Sequence, residues 1–249
     1  MPKPIAIFNT GPLQRTLGAF QAVCGGDNDY LFTKACGLAP ADVVDVDVEM
    51  TDDLPAAADL AGVIVTGSAS MVTDRLPWSE RAAAWIRDNR DRVPVLGVCF
   101  GHQLIAHAYG GMVAWNPRGP EYGTVEVTVT PAAKGDPLMV GMPQRFAVQS
   151  AHHQTVVALP AGCTILAEGD SGLHAARFSK STWGVQFHPE YDARINAAVL
   201  EVFSEGLAKD GVDVTAGRAS IRSSETALGV LRNFVAICAR ATQVNRRAQ

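Results

Sequence analysis

The chain has 249 residues, 47% of them hydrophobic and 18% charged, which is enough for one large α/β domain with its own core. A formal net charge of −4 excludes any general attraction to nucleic acid. No apolar run approaches the roughly 20 residues of a membrane-spanning helix, so no membrane partner is expected. Cysteines at 24, 36, 99, 163 and 238 are odd in number and scattered, with no CxxC pair, which argues against a disulfide framework or a cysteine zinc site. The N-terminus, MPKPIAIFN, runs into a strand pattern rather than a signal peptide, so a cytoplasmic location is expected.

Short β-rich runs alternate with helical patterns through the first half, predicting βα units on a mostly parallel sheet. IAIFN (5–9) is a first strand, followed by a helical stretch through Leu17, Phe20 and Val23. GGDNDYLF (25–32) reads as a loop entering a helix. VVDVDVEM (43–50) is a second strand, and AGVIVTG (61–67) a third that ends in the small-residue loop GSAS. After Trp78, SERAAAWIRDNRD reads as an amphipathic helix with Ala82, Trp85 and Ile86 inward, and VPVLGVC is the next strand.

The second half changes character. TVEVTVT, RFAVQS, TVVAL, CTILAE, LHAARFS and TWGVQF predict short strands that add hairpins to the sheet. INAAVLEVFSEGLAKD is then helical, DGVDVTAGRAS (210–220) is a polar loop and the only candidate linker, and TALGVLRNFVAICAR is a last amphipathic helix expected to dock back on the sheet. The basic tail, Arg240 with Arg246 and Arg247, reads as a chain terminus rather than a binding arm.

Two strand ends carry chemistry. In GVCFGHQLIAHAYGG (97–111), Gly97 and Gly101 flank Cys99 where a strand turns into a helix, an arrangement that presents a nucleophile above a sheet and beside free helix N–H groups. Such a setting favours thiolate over thiol. In WGVQFHPEYDA (183–193), Pro189 ends the ladder, so His188 also sits at a strand end, and Glu190 is placed to bond its Nδ1. Taken singly, a free cysteine is more often a small buried hydrophobe, and His-Pro-Glu a solvated turn. Matching halves of one mechanism at two strand ends favour the chemical reading. His102 and His107 are five apart on one helix and do not have the spacing of a metal grip, and GSAS is too short for a phosphate loop, so neither metal nor cofactor is expected.

GVCFGHQ with the distant QFHPE resembles the class I glutamine amidotransferase family over about residues 5 to 205. VIVTGSASMV resembles the family's loop after the third strand, and NPRGPEYGTVEV and SAHHQTVVALP resemble segments of the glutaminase domain of GMP synthase. The resemblance implies a flavodoxin-like three-layer α/β sandwich with a mostly parallel central sheet and added β-hairpins. It implies one domain over residues 1–249, with a core at about 5–205 and a C-terminal helical extension at about 206–249. It further implies that Cys99 attacks the γ-amide of glutamine to form a γ-glutamyl thioester, that His188 is the base and later protonates ammonia, and that Glu190 orients His188. The backbone N–H of Phe100 and one near Gly67 or Ser68 would form the oxyanion hole. Gln103 would contact the bound glutamine, with main-chain contacts from Ala151 and His152. At AHHQ (151–154) the chain departs from the Ser-His-Gly-Asp often found in the family, so a side-chain contact by that aspartate is lost.

Roughly 40 residues follow the resembling region, too few for a nucleotide-binding synthetase domain, so a stand-alone protein is expected whose ammonia acceptor, if it has one, is a separate synthetase subunit. Three readings stay open: an amidotransferase subunit that releases ammonia from glutamine, a γ-glutamyl hydrolase similar to the plant γ-glutamyl peptidases, and a stress protein of the DJ-1/PfpI group. Against the last, a histidine commonly follows the elbow cysteine in that group, whereas Phe100 stands here, and a degenerate, non-catalytic binding module is as disfavoured because all three triad residue types are present.

Overall fold

A computed structural model describes residues 3–12 and 23–247. The helix expected through Leu17 and Phe20 lies outside the described residues. Strands β1 (Ile5–Asn9), β2 (Val43–Asp47), β3 (Gly62–Val65) and β4 (Val95–Val98) alternate with helices α1 (Asn28–Cys36), α2 (Pro77–Asp88) and α3 (Phe100–Ala108). Seven strands follow: β5 (Met112–Trp115), β6 (Glu121–Val129), β7 (Arg145–His152), β8 (Gln154–Ala158), β9 (Thr164–Gly169), β10 (Gly172–Ser179) and β11 (Thr182–Val185). The chain closes with α4 (Ala193–Val202), α5 (Ser204–Lys209), α6 (Val214–Ser220) and α7 (Leu228–Arg247).

Nine strands form one sheet in the order β2-β1-β3-β4-β11-β10-β9-β6-β7, and β5 pairs with β8 in a second, two-stranded sheet. The pairings from β2 through β11 are parallel; those from β11 through β7 are antiparallel. This is the α/β sandwich with a parallel core and added hairpins that the sequence predicts.

Side-chain alternation puts the two faces of the sheet into two cores. Ile5 and Ile7 of β1, Ile64 of β3, and Leu96 and Val98 of β4 share a cluster with Phe32 of α1 and with Leu231 and Phe234 of α7. Ala6 and Phe8, Val63 and Val65, and Val95 share the other with Ala82 and Ile86 of α2 and Leu104 and Ile105 of α3. Because both faces are covered, the inner parallel strands β1, β3 and β4 are buried throughout and read as near-continuous apolar runs, whereas the edge strand β2 carries aspartates and is partly exposed.

Local chemistry sets several ends. Asp27 caps α1, its carboxylate accepting from Asn28 N at 2.7 Å, and Gly37 ends the helix in the left-handed region at φ 68°. Asp192 caps α4 by accepting from Ile195 N at 2.9 Å. Three expectations are corrected. β2 stops at Asp47 instead of Met50, because the Asp47 carboxylate accepts from Glu49 N at 3.1 Å and Met50 N at 3.3 Å and turns the chain. The helix expected across 195–210 is two helices meeting at Phe203.

The stretch 210–220, expected to be a loop, contains helix α6. Asp213 caps it by accepting from Ala216 N at 2.9 Å, and its last residue docks on β6, where Ser220 Oγ accepts from Thr124 N at 3.1 Å. Gly123, at φ 108°, lets that helix approach, since a Cβ there would lie 2.3 Å from Ser220 Oγ. The last helix also lies directly on the sheet: a Cβ at Gly62 would lie 2.3 Å from Cys238 Sγ. Among the described residues no helix is long and apolar enough to cross a membrane.

Candidate active site

The parallel pairing of β4 with β11, which sets Val98 opposite Val185, brings both strand ends to one edge of the sheet. At the end of β4, Cys99 takes φ 52° and ψ −104°, a strained backbone for a residue with a Cβ. Its N–H donates to Val185 O at 2.8 Å, which fixes the turn against β11. The glycines beside it serve close approach: a Cβ at Gly97 would lie 2.4 Å from the Gly101 backbone, and one at Gly101 would lie 2.2 Å from Val65 O. The thiol is buried, with Sγ 3.7 Å from Ala151 O.

His188 follows β11 and donates its backbone N–H to Gln149 O at 2.9 Å. Its Nδ1–H donates to Glu190 Oε1 at 2.7 Å, leaving Nε2 for the thiol. Tyr191 stacks on the imidazole, with ring centroids 4.1 Å apart and planes 6° from parallel. Gly67 closes the other side, where a Cβ would come within 2.8 Å of the His188 ring. Burial alone would lower the His188 pKa from 6.5, but the Glu190 carboxylate and the adjoining Cys99 thiol outweigh it and raise it to about 10.

The residues expected to form the triad, the oxyanion hole and the substrate contacts all line one cavity of about 170 Å³: Cys99, His188 and Glu190; Gly67, Ser68 and Phe100; Gln103, Ala151 and His152. That volume lies below the ~300 Å³ at which drug-sized ligand sites begin and suits a small polar molecule. Gln103 is held by its own amide, its Nε2 donating to Gln154 O at 2.7 Å and to Gln186 Oε1 at 3.0 Å. His152, at the end of β7, has Nδ1 3.0 Å from Gln154 O and Nε2 3.3 Å from Glu121 Oε2. Glu121 also accepts from Ser150 Oγ at 2.6 Å. Burial would raise the Glu121 pKa, but the bonds from His152 and His174 hold it well below the usual carboxylate range.

The wall includes residues that sequence reasoning passed over. Tyr122, Tyr191 and Phe203 supply aromatic surface, Asn28 reaches in from α1, and His153 lies between Trp115 and Tyr122 at the rim. Tyr191 had a sequence signal because it directly follows His-Pro-Glu, and Tyr122 and His153 lie inside the two segments that resemble the glutaminase domain. Phe203 and Asn28 arrive from distant elements. His102, by contrast, is fully buried, with a pKa lowered by burial to about 3, and lies outside the cavity wall. Among the described residues no group of three or more His, Cys, Asp or Glu side chains is arranged to hold a metal ion.

With this geometry in view, residues 33–204 match the family model for glutamine amidotransferase class-I. The chain belongs to the class I glutamine amidotransferase family. It is 35% identical over 172 residues to a glutamine-hydrolyzing GMP synthase subunit from Halobacterium salinarum, covering 66% of this chain and 86% of that relative. It is 36% identical over 129 residues to the glutamine-hydrolyzing GMP synthase of Thermomicrobium roseum, covering 52% of this chain but only 23% of the relative. The match thus spans less than a quarter of the longer synthase. A glutamine amidotransferase from Thermotoga maritima has the same fold, with a TM-score of 0.70, 16% identity and coverage of 96% of this chain and 99% of that one. One from Methylobacillus flagellatus gives 0.63, 24%, 99% and 94%.

Proposed function

We propose that this class I glutamine amidotransferase hydrolyses the γ-amide of glutamine through Cys99, His188 and Glu190, releasing ammonia for an acceptor on a separate synthetase subunit. The observation that carries the reading is the buried His188–Glu190 pair, 2.7 Å apart, set against a cysteine held at a strained strand-to-helix turn.

With the Cys99 proton held on His188 Nε2, the sulfur attacks the amide carbon as thiolate. The oxygen that becomes negative is met by the Phe100 N–H, which as the first residue of α3 has no partner inside the helix, and by an N–H of the Gly67–Ser68 loop. Collapse of the tetrahedral intermediate breaks the C–N bond as the His188 proton passes to the departing nitrogen, leaving ammonia and a γ-glutamyl thioester. Water then gives a proton to His188 and attacks the thioester, freeing glutamate and restoring the thiolate. Glu190 stays ionised and holds the tautomer throughout. Gln103 and the main chain at Ala151 and His152 would hold the amino-acid end of the substrate.

Glutamate release from glutamine and from a set of γ-glutamyl peptides, with Cys99→Ala as the blank, tests the reading. Turnover of glutamine supports it, whereas turnover of γ-glutamyl peptides alone replaces it with the γ-glutamyl hydrolase reading.

A further inference from the structure

Two threonines outside the cavity wall control the peptide between Gly67 and Ser68. Thr10, just beyond β1, and Thr66, just beyond β3, are both fully buried. The Thr10 hydroxyl lies 2.9 Å from Gly67 O and 3.0 Å from Thr66 O, and the Thr66 hydroxyl donates to Gly67 O at 3.1 Å. Thr10 N–H donates to Thr66 Oγ1 at 3.0 Å and the two hydroxyls lie 3.1 Å apart, so the pair is locked together. Thr66 O also accepts from Gly101 N at 3.1 Å, which ties this pair to the turn that carries Cys99.

A trans peptide points its C=O and N–H in opposite directions. In the sheet, β3 has β1 on one side and β4 on the other. The Thr10 hydroxyl draws the Gly67 carbonyl toward β1, which by the geometry of a trans peptide turns the Ser68 N–H toward the β4 side, where Cys99 stands. Neither Gly67 N nor Ser68 N has a hydrogen-bond acceptor among the described residues, and both residues line the cavity. Gly11 follows the same clamp and abuts the loop, a Cβ there lying 3.0 Å from Ser68 Oγ.

We infer that Thr10 and Thr66 are positioning residues that fix the Gly67–Ser68 peptide with the Ser68 N–H aimed at the developing oxyanion. The inference rests on the glutaminase reading above and deepens it. Thr10 touches neither the thiol nor the cavity, so its contribution passes wholly through the peptide it holds. Thr10→Val keeps the shape and removes the hydroxyl, while Thr66 Oγ1 remains to accept Thr10 N–H.

Two reagents separate the roles. A glutamine-derived chloroketone places a carbonyl at the γ-amide position, and Cys99 displaces chloride through a hemithioketal whose oxygen occupies the oxyanion position. Iodoacetamide is attacked at its CH₂, with iodide leaving and no oxyanion formed. The clamp predicts that Thr10→Val slows chloroketone labelling of Cys99, and kcat where glutamine turnover is measured, by roughly 10-fold, less than the 10²–10³ of deleting a donor outright. Iodoacetamide labelling and KM stay near wild type, and Thr10→Ser restores the chloroketone rate. Equal chloroketone rates in wild type and Thr10→Val overturn the clamp, as does a parallel fall with both reagents. A wild-type protein that iodoacetamide labels and the chloroketone does not overturns the glutaminase reading itself, and the clamp with it.

Discussion

Replacing Glu190 by Gln removes one charge with little change of shape. Its carboxylate accepts from His188 Nδ1 at 2.7 Å, and the two side chains are only 2% and 5% exposed, so solvent screens the pair weakly. In the native site burial lowers the His188 pKa, while Glu190 first and Cys99 second raise it, for a net value of about 10 against 6.5 for an ordinary histidine. A buried hydrogen bond to a charged group is worth about 1.5–3 kcal/mol, and losing it from the steps in which His188 carries the proton predicts a rate lower by roughly 10- to 100-fold. The sign in pH follows from the same balance. Steps that need protonated His188 fail as pH rises through about 10 in the native protein, and with the carboxylate gone burial moves that limb to lower pH. Glutamate release measured from neutral to strongly alkaline pH reads both effects. A Glu190→Gln protein with a rate within about two-fold of wild type and an unmoved alkaline limb would refute the reasoning.

Alkylation near neutral pH should select Cys99: burial pushes Cys24 up to about 11, Cys36 up to about 12, and Cys163 and Cys238 upward as well, so equal labelling of all five by peptide mapping would count against an activated site. Gly101→Ala should destabilise by about 1–3 kcal/mol in denaturant titration, because its Cβ would meet backbone 2.2 Å away. A native midpoint would mean that the turn can open without loss. Phe234→Ala, at a fully buried position of α7, should cost about 3–5 kcal/mol, and a smaller change would show that this helix adds little to the core.

The inner parallel strands were legible as short apolar runs and the edge strand β2 as a valine-aspartate alternation, and the elbow because two glycines bracket a cysteine within five residues. His188 and Glu190 were legible for a similar reason: proline marks the strand end and the pair is local. Thr10 and Thr66 were not. They are 56 residues apart, and nothing in either sequence context announces a clamp until β1 and β3 lie side by side. Helix α6 was hidden by its glycine, Gly217, and by the polar residues around it, which read as loop, and it forms because Asp213 caps it and Ser220 anchors it to β6. Phe203 and Asn28 reach the cavity only through tertiary packing, which periodicity does not encode.

The central claim is a covalent one. Incubating the protein with glutamine, quenching in acid and mapping the modified peptides by mass spectrometry would show whether a γ-glutamyl group is carried on sulfur. The account predicts a hydroxylamine-labile γ-glutamyl adduct on the Cys99 peptide, absent from Cys99→Ala along with glutamate release. Glutamate release that persists in Cys99→Ala would contradict it.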